Sequence, residues 1–198
     1  MLLYKILVTI LRPLFCFLYR IRVVGRENLI EGPAVVCCNH TSLLDPIMVA
    51  AGIGPKYPLH FMGKKELFQN PIANAFFRAV GAFPVDRGNV ELATMRHSIN
   101  LLKNGEKVAI FPEGKRVLPV TEETDIDGVK TGIAMIAVRG GVPIIPIYLT
   151  RHKRLFCKTS VIIGKSVPAE KQEGSTADNY RRIANTAFQA ILDLGDGT

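Results

Sequence analysis

The sequence predicts an α/β fold, a mixed and largely parallel β-sheet flanked by helices, with an amphipathic membrane-interfacial helix at its N-terminus. Three observations carry this expectation. Past Arg20, short β-branched runs alternate with stretches of helical periodicity, the pattern of a layered α/β domain. The 198 residues, 48% of them hydrophobic, make one domain. Such a domain buries roughly 70% of its unfolded surface and needs neither disulfides nor a structural metal. Residues 1–20 stand apart as an apolar segment, leaving a single domain at 21–198.

Taken in order, Leu2 to Leu18 reads as a helix. Seventeen helical residues reach about 26 Å, short of the roughly 30 Å hydrocarbon core. Arg12 in mid-segment costs about 2.5–3.5 kcal/mol on insertion scales, and Pro13 is expected to kink the helix beside it. Lys5, Thr9, Arg12 and Cys16 fall on one narrow face with Leu, Ile, Val and Phe around the rest, so the segment is expected to lie on a membrane rather than span it. A helix packed on its own domain shows the same broad apolar face, and both arrangements can hold at different turns. No small-residue cleavage site precedes Tyr19-Arg20-Ile21-Arg22, so the segment is expected to be retained.

Strands are then expected at Ile21 to Gly25, Ala34 to Asn39, Leu59 to Gly63, Phe83 to Asp86, Lys107 to Phe111, Ile144 to Thr150 and Ser160 to Gly164. Helices fall between them: Pro46 to Ile53, Lys65 to Val80 with a break at Pro71, Asn89 to Asn104, Val129 to Arg139, and Thr176 to Leu194. The third of these carries Leu92, Met95, Ile99 and Leu102 on one face, with Gly105 as its left-handed cap. Val117 to Asp127, rich in Thr and acids, reads as a mobile surface loop. There is no internal repeat and no linker.

Composition narrows the partners. Lys and Arg number 25 against 17 Asp and Glu, a net charge of +8. The isoelectric point near 9.5 accompanies a positive mean hydropathy of +0.21. That pairing suggests an anionic and an oily partner together, a membrane surface, an acyl chain, or both. Nucleic acid would satisfy the charge alone and would call for aromatic stacking platforms, whereas aromatics are 8% of the chain and lie mostly in apolar runs, so no nucleic-acid partner is expected. Four cysteines, Cys16, Cys37, Cys38 and Cys157, make no disulfide framework and suit a reducing compartment. Cys37-Cys38-Asn39-His40 is a poor zinc site, because neighbours on a strand point to opposite faces and no second ligand pair follows. No metal is expected.

Chemistry concentrates in four strings. In Asn39-His40-Thr41-Ser42-Leu43-Leu44-Asp45-Pro46 a histidine and an aspartate stand five apart where a strand gives way to a helix. Asp45 before Pro46 suits a helix N-cap, and the loop can equally fold the carboxylate onto one imidazole nitrogen, fixing the tautomer of a general base. Ser42 reads as loop structure. Gly81-Ala82-Phe83-Pro84-Val85-Asp86-Arg87 delivers an aspartate and an arginine to a strand's carboxyl end, where open α/β sheets bind ligands. Phe111-Pro112-Glu113-Gly114-Lys115-Arg116 brings an acid and two bases to a tight turn. Val142 to Tyr148 is an apolar strand with two prolines, which argues for an edge strand or a bulge.

In this order and spacing the four blocks resemble the glycerolipid acyltransferase family, in particular the 1-acylglycerol-3-phosphate (lysophosphatidic acid) acyltransferases, over nearly the whole chain. The family's His-x4-Asp motif is matched at His40 and Asp45, its second motif at Gly81, Phe83, Asp86 and Arg87, and its third at Phe111, Pro112, Glu113, Gly114 and Arg116. The fourth falls on Val142 to Ile147, and Lys64-Lys65-Glu66-Leu67 matches a further common run. Lys115 and Val117 depart from the family's usual Thr or Ser and Ser.

The resemblance implies an enzyme that moves a fatty acyl group from acyl-CoA or acyl-carrier protein to the 2-hydroxyl of lysophosphatidic acid, forming phosphatidic acid. Glycerol-3-phosphate and other lysophospholipids are alternative acceptors, and a non-catalytic membrane-binding module is a remote alternative function. His40 is then the general base and Asp45 its orienter. Lys64, Arg87, Glu113, Gly114 and Arg116 are expected to bind substrate, the cations clamping the acceptor's phosphate. The hydroxyl is itself the nucleophile, in keeping with the lack of a Gly-x-Ser-x-Gly elbow, and no cofactor is expected beyond the acyl donor as co-substrate. The basic run Arg151-His152-Lys153-Arg154 and the pair Arg181-Arg182 are expected on a rim facing membrane or carrier protein. The protein is expected as a peripheral, monotopic enzyme on the cytoplasmic face of the cell membrane.

Overall fold

The computed structural model describes residues 1–85, 92–111, 131–151, 153–170 and 175–196. The expected loop from Val117 to Asp127 lies outside them. Seven strands form one sheet: β1 (Ile21–Val24), β2 (Ala34–Cys38), β3 (Leu59–Lys64), β4 (Ala82–Val85), β5 (Lys107–Ile110), β6 (Ile144–Leu149) and β7 (Thr159–Ile163). Their order is β1-β7-β6-β2-β5-β3-β4, and every pair is parallel except β6 with β7. This is the mixed, largely parallel sheet the sequence predicts.

Helices cover both faces: α1 (Leu2–Leu18), α2 (Asp45–Ile53), α3 (Pro71–Ala79), α4 (Leu92–Lys103), α5 (Gly132–Gly140) and α6 (Thr176–Asp196). One core layer packs α1 and α2 on Val36, Cys38 and Ile145; the other packs α4, α5 and α6 on Val35, Cys37 and Ile144. Cys37 and Cys38 thus point to opposite faces, and β2 is buried along its whole length, as a central parallel strand must be.

Local chemistry explains the boundaries. Asn70 caps α3, its side chain accepting from the amides of Ile72 at 2.9 Å and Ala73 at 3.1 Å, and Pro71 takes the first helical position. Residues Lys65–Phe68 ahead of it form only a 3-10 turn, so the break expected at Pro71 is present. Gly105 ends α4 at φ +84°, its amide donating to the carbonyl of Leu102 while that of Glu106 donates to Leu101, both at 3.0 Å.

For Pro146 the sequence left an edge strand or a bulge open. It sits in β6, an interior strand with β2 on one side and β7 on the other, not at an edge. The physical reason lies in the β7 pairing, which begins only at Ile147–Ile163 and resumes at the isolated bridge Ile144–Val167. The proline's missing N–H falls in that gap, while its carbonyl still accepts from Gly164 at 2.9 Å.

In α1 the helix runs unbroken through Pro13, which stands with Thr9 on the exposed side. Arg12, expected on a solvent-facing polar line, turns inward instead. Its Nε donates to the carbonyl of Ala51 at 2.9 Å, and Arg26 Nη2 donates to that of Gly52 at 2.6 Å. Two guanidinium groups thereby satisfy the last turn of α2, where the helix dipole favours positive charge. Tyr4, Val8 and Phe15 face the domain, whereas Leu2, Ile6, Ile10, Leu14 and Phe17 form an exposed stripe. Among the described residues, no helix is long and apolar enough to cross a membrane.

Candidate active site

Strands β2 and β5 are neighbours whose connections leave in opposite directions, β2 toward β3 through α2 and β5 toward β6 through α5, on opposite faces of the sheet. Such a switch point opens a crevice at the carboxyl ends of its strands. His40 follows β2 and Phe111 follows β5; their rings stack 4.2 Å apart at 26°.

The loop carrying His40 is pinned before it turns. The Asn39 side-chain amide donates to the carbonyl of Leu149 at 2.9 Å, and its Oδ1 accepts from the amide of Leu149 at 2.7 Å, extending the β2–β6 pairing past the end of the ladder. Asp45, at 0% exposure, is the first residue of α2, one position after the N-cap, which is Leu44. The helix-capping role anticipated for Asp45 is therefore not the one it plays. Its Oδ2 points backward and accepts from the amides of Thr41 at 2.6 Å and Ser42 at 2.7 Å, and lies 2.9 Å from His40 Nδ1. Ser42 contributes loop structure, its Oγ accepting from the Leu44 amide at 3.2 Å.

Burial pushes the Asp45 carboxyl up, but hydrogen bonds from His40, Lys153 and the Ser42 amide, with the charge of Lys153, outweigh it and hold the group below the usual aspartate value. Asp45 is thus an ionised acceptor. With Nδ1 bound to it, His40 carries its proton on Nδ1 and leaves Nε2 as the basic nitrogen.

His40 borders a cavity of about 540 Å³, a typical ligand-pocket volume. The inner face of α1 lines it with Tyr4, Val8 and Phe15, together with Ile47 of α2, Phe77 of α3 and Ala82 of β4. Lys64 ends β3 on the same cavity, 57% exposed, its Nζ 3.1 Å from Glu66 Oε1.

Of the residues expected from sequence, the structure brings His40 and Lys64 to one cavity, with Asp45 buried behind His40. Asp86, Arg87, Glu113, Gly114, Arg116 and His152 lie outside the described residues. Lys153 does not belong to a membrane-facing rim: its side chain is 2% exposed, with Nζ 2.6 Å from Asp45 Oδ1. Sequence reasoning also gave Phe111 no contact with His40. An aromatic residue immediately before the polar turn Pro112-Glu113-Gly114 was the available signal. For Lys153, one cation within a basic run, there was none.

A buried His–Asp pair at the switch point of an α/β sheet, opening on an apolar cavity, is an arrangement suited to proton transfer beside a hydrophobic ligand. Residues 20–150 match the family model described as Acyltransferase, and the chain belongs to that family. It is 37% identical to a 1-acyl-sn-glycerol-3-phosphate acyltransferase of Bacillus subtilis (strain 168) over 144 residues, 72% of this chain and 69% of the relative. A protein of that name from Streptococcus pneumoniae is 36% identical over 117 residues, 59% of this chain but only 41% of the relative's length. The crystal structure of the 1-acyl-sn-glycerophosphate (LPA) acyltransferase, PlsC, from Thermotoga maritima shares the fold, with a TM-score of 0.66 at 23% identity over 97% of this chain and 78% of that one.

Proposed function

We propose that this enzyme transfers a fatty acyl group from acyl-CoA or acyl-carrier protein to the 2-hydroxyl of lysophosphatidic acid, releasing the free thiol and forming phosphatidic acid. The observation that carries the reading is His40, held through Nδ1 by the ionised Asp45 at 2.9 Å, on the wall of an apolar cavity. Nε2 takes the proton of the acceptor hydroxyl as its oxygen attacks the thioester carbonyl; the tetrahedral intermediate collapses with rupture of the C–S bond, and the imidazolium returns the proton to the departing sulfur. No acyl-enzyme forms. The cavity takes an acyl tail, whose burial contributes about 0.8 kcal/mol per methylene.

Lys64 stands where β3 meets the cavity, and in the sequence Arg87 comes soon after the end of β4 and Arg116 soon after the end of β5. We assign the acceptor's phosphate to these three cations, with Glu113 and Gly114 beside the glycerol. The exposed stripe of α1, with Leu155 and Phe156 beside Phe17, is the surface by which the enzyme rests on the cytoplasmic face of the membrane, reaching its lipid acceptor without spanning the bilayer.

Incubation of the purified protein with lysophosphatidic acid and each donor, with product identification, is expected to yield phosphatidic acid. His40→Ala is expected to abolish it while leaving vesicle binding intact. Retained turnover in that variant would overturn the mechanism, and preferential acylation of glycerol-3-phosphate in a competition assay would overturn the acceptor.

A further inference from the structure

Lysine is seldom buried without a partner, and the side chain of Lys153, in the loop after β6, is 2% exposed at the back of the His40–Asp45 pair. Its Nζ lies 2.6 Å from Asp45 Oδ1 and donates to Thr41 Oγ1 at 2.5 Å. The Thr41 hydroxyl in turn donates to the carbonyl of Arg151 at 3.4 Å, joining the loops after β2 and β6. Asp45 Oδ2 is already claimed by His40, Thr41 and Ser42. The ammonium therefore faces the carboxylate's other oxygen, and its burial removes it from the cations free to meet a phosphate.

We propose that Lys153 is a positioning residue for acyl transfer, holding the Asp45 carboxylate with Oδ2 toward His40 and offsetting its charge so that the imidazole remains a proton acceptor at the pH of turnover. The proposal rests on His40 serving as the base. A lone carboxylate beside an imidazole favours the imidazolium, which cannot accept a proton; an ammonium on the carboxylate's far side opposes that bias while preserving the orientation. The charged groups near the pair include Asp45 at the start of α2, Lys153 and the half-buried Arg151 after β6, with Lys64 of β3 and Arg12 of α1 bordering the same cavity. Lys153 touches Asp45 and does not line the cavity, so removing it changes the field at the ring without touching the cavity wall.

The test is the pH profile of kcat/KM in the full chain. Lys153→Met is expected to move the acid limb to higher pH by about 1 unit, with a loss of roughly 10-fold on that limb and little change in the KM of the donor. Lys153→Arg, which keeps the charge, is expected to restore the limb. Thr41→Val, which removes a neutral partner, is expected to leave its position unchanged. Lys153→Gln carries the same test should the methionine variant fail to fold. An unmoved limb in both neutral variants overturns the proposal, and so does loss of the fold in both, which would assign the residue to the scaffold. His40→Ala run in parallel separates the two readings: residual turnover there sinks the base itself, whereas an inactive His40→Ala beside an unshifted Lys153→Met sinks only the role of Lys153.

Discussion

One carboxylate oxygen of Asp45 receives three donors and the other faces an ammonium, so the residue's chemistry is ionic and its effects follow charge. Because its folded-state value lies below the ordinary one, the stability it contributes is complete above the unfolded value near 3.9 and is lost as pH falls through the lower folded value. Urea unfolding is therefore expected to show stability falling in acid below about pH 4, with a shallower fall in Asp45→Asn. The same substitution is expected to lower kcat/KM by at least about 100-fold, since a carboxamide lacks the charge that stabilises the imidazolium, and the orientation that keeps the Thr41 and Ser42 amides satisfied turns its NH2 onto the Lys153 ammonium. At this scale the sequence was only half legible. The spacing of His40 and Asp45 permitted a contact, but the same letters also fit a helix cap, and the choice rests on where the loop folds. Lys153 was illegible because its burial depends on β6 ending beside β2, a pairing that brings together residues more than a hundred positions apart.

Elements were easier to read, because periodicity and capping act over a few residues. Strand positions were anticipated to within one residue at each described end, and the Gly105 cap was anticipated outright. Gly105→Ala is expected to cost about 1 kcal/mol, or roughly 2–4 °C in Tm, because a Cβ at φ +84° is strained although nothing lies within 4 Å to clash with it. Pro146 left an edge strand and a bulge both open, because a sequence shows the missing donor but not the gap that accommodates it. Helix α1 had two admissible arrangements on sequence, and the structure shows one face packed and another open: Tyr4 at 4% exposure turns in, whereas Ile10 at 65% and Phe17 at 71% turn out. Burying one such side chain in a bilayer interface contributes about 1.5–3 kcal/mol. Ile10→Asp is therefore expected to weaken binding to anionic vesicles by about 10-fold or more while leaving Tm within a degree or two, as measured by flotation and thermal unfolding. Binding unaffected by this change would remove α1 from the proposed membrane surface.

Across the whole molecule, the net charge of +8 and the apolar surplus resolve into different regions of one sheet. Among the described cations, Lys64 stands at the end of β3, Arg12 and Arg26 at the end of α2, and Lys153 lies buried against Asp45, while apolar side chains make two cores, the cavity and the open stripe of α1. The fold class was recoverable from sequence because alternation of elements encodes layering. The cavity was not, since it arises where α1 stands over α2 and α3, leaving a space that no local pattern records. That space has a direction set by the sheet. His40 follows β2, and β4 stands three positions away, about 14 Å at the usual strand spacing. Ala82 of β4 lines the cavity remote from the base, where the proposed acyl site would hold the tail of a long chain rather than its reacting carbonyl. Ala82→Leu adds bulk there without altering His40, Asp45 or Lys64. One methylene of misfit in an apolar site is worth about 10- to 200-fold in kcat/KM. The variant is thus expected to lose that factor against long-chain donors, to retain activity with shorter ones, and to keep the wild-type pH profile. Equal loss across a donor series of increasing chain length would place the acyl tail elsewhere.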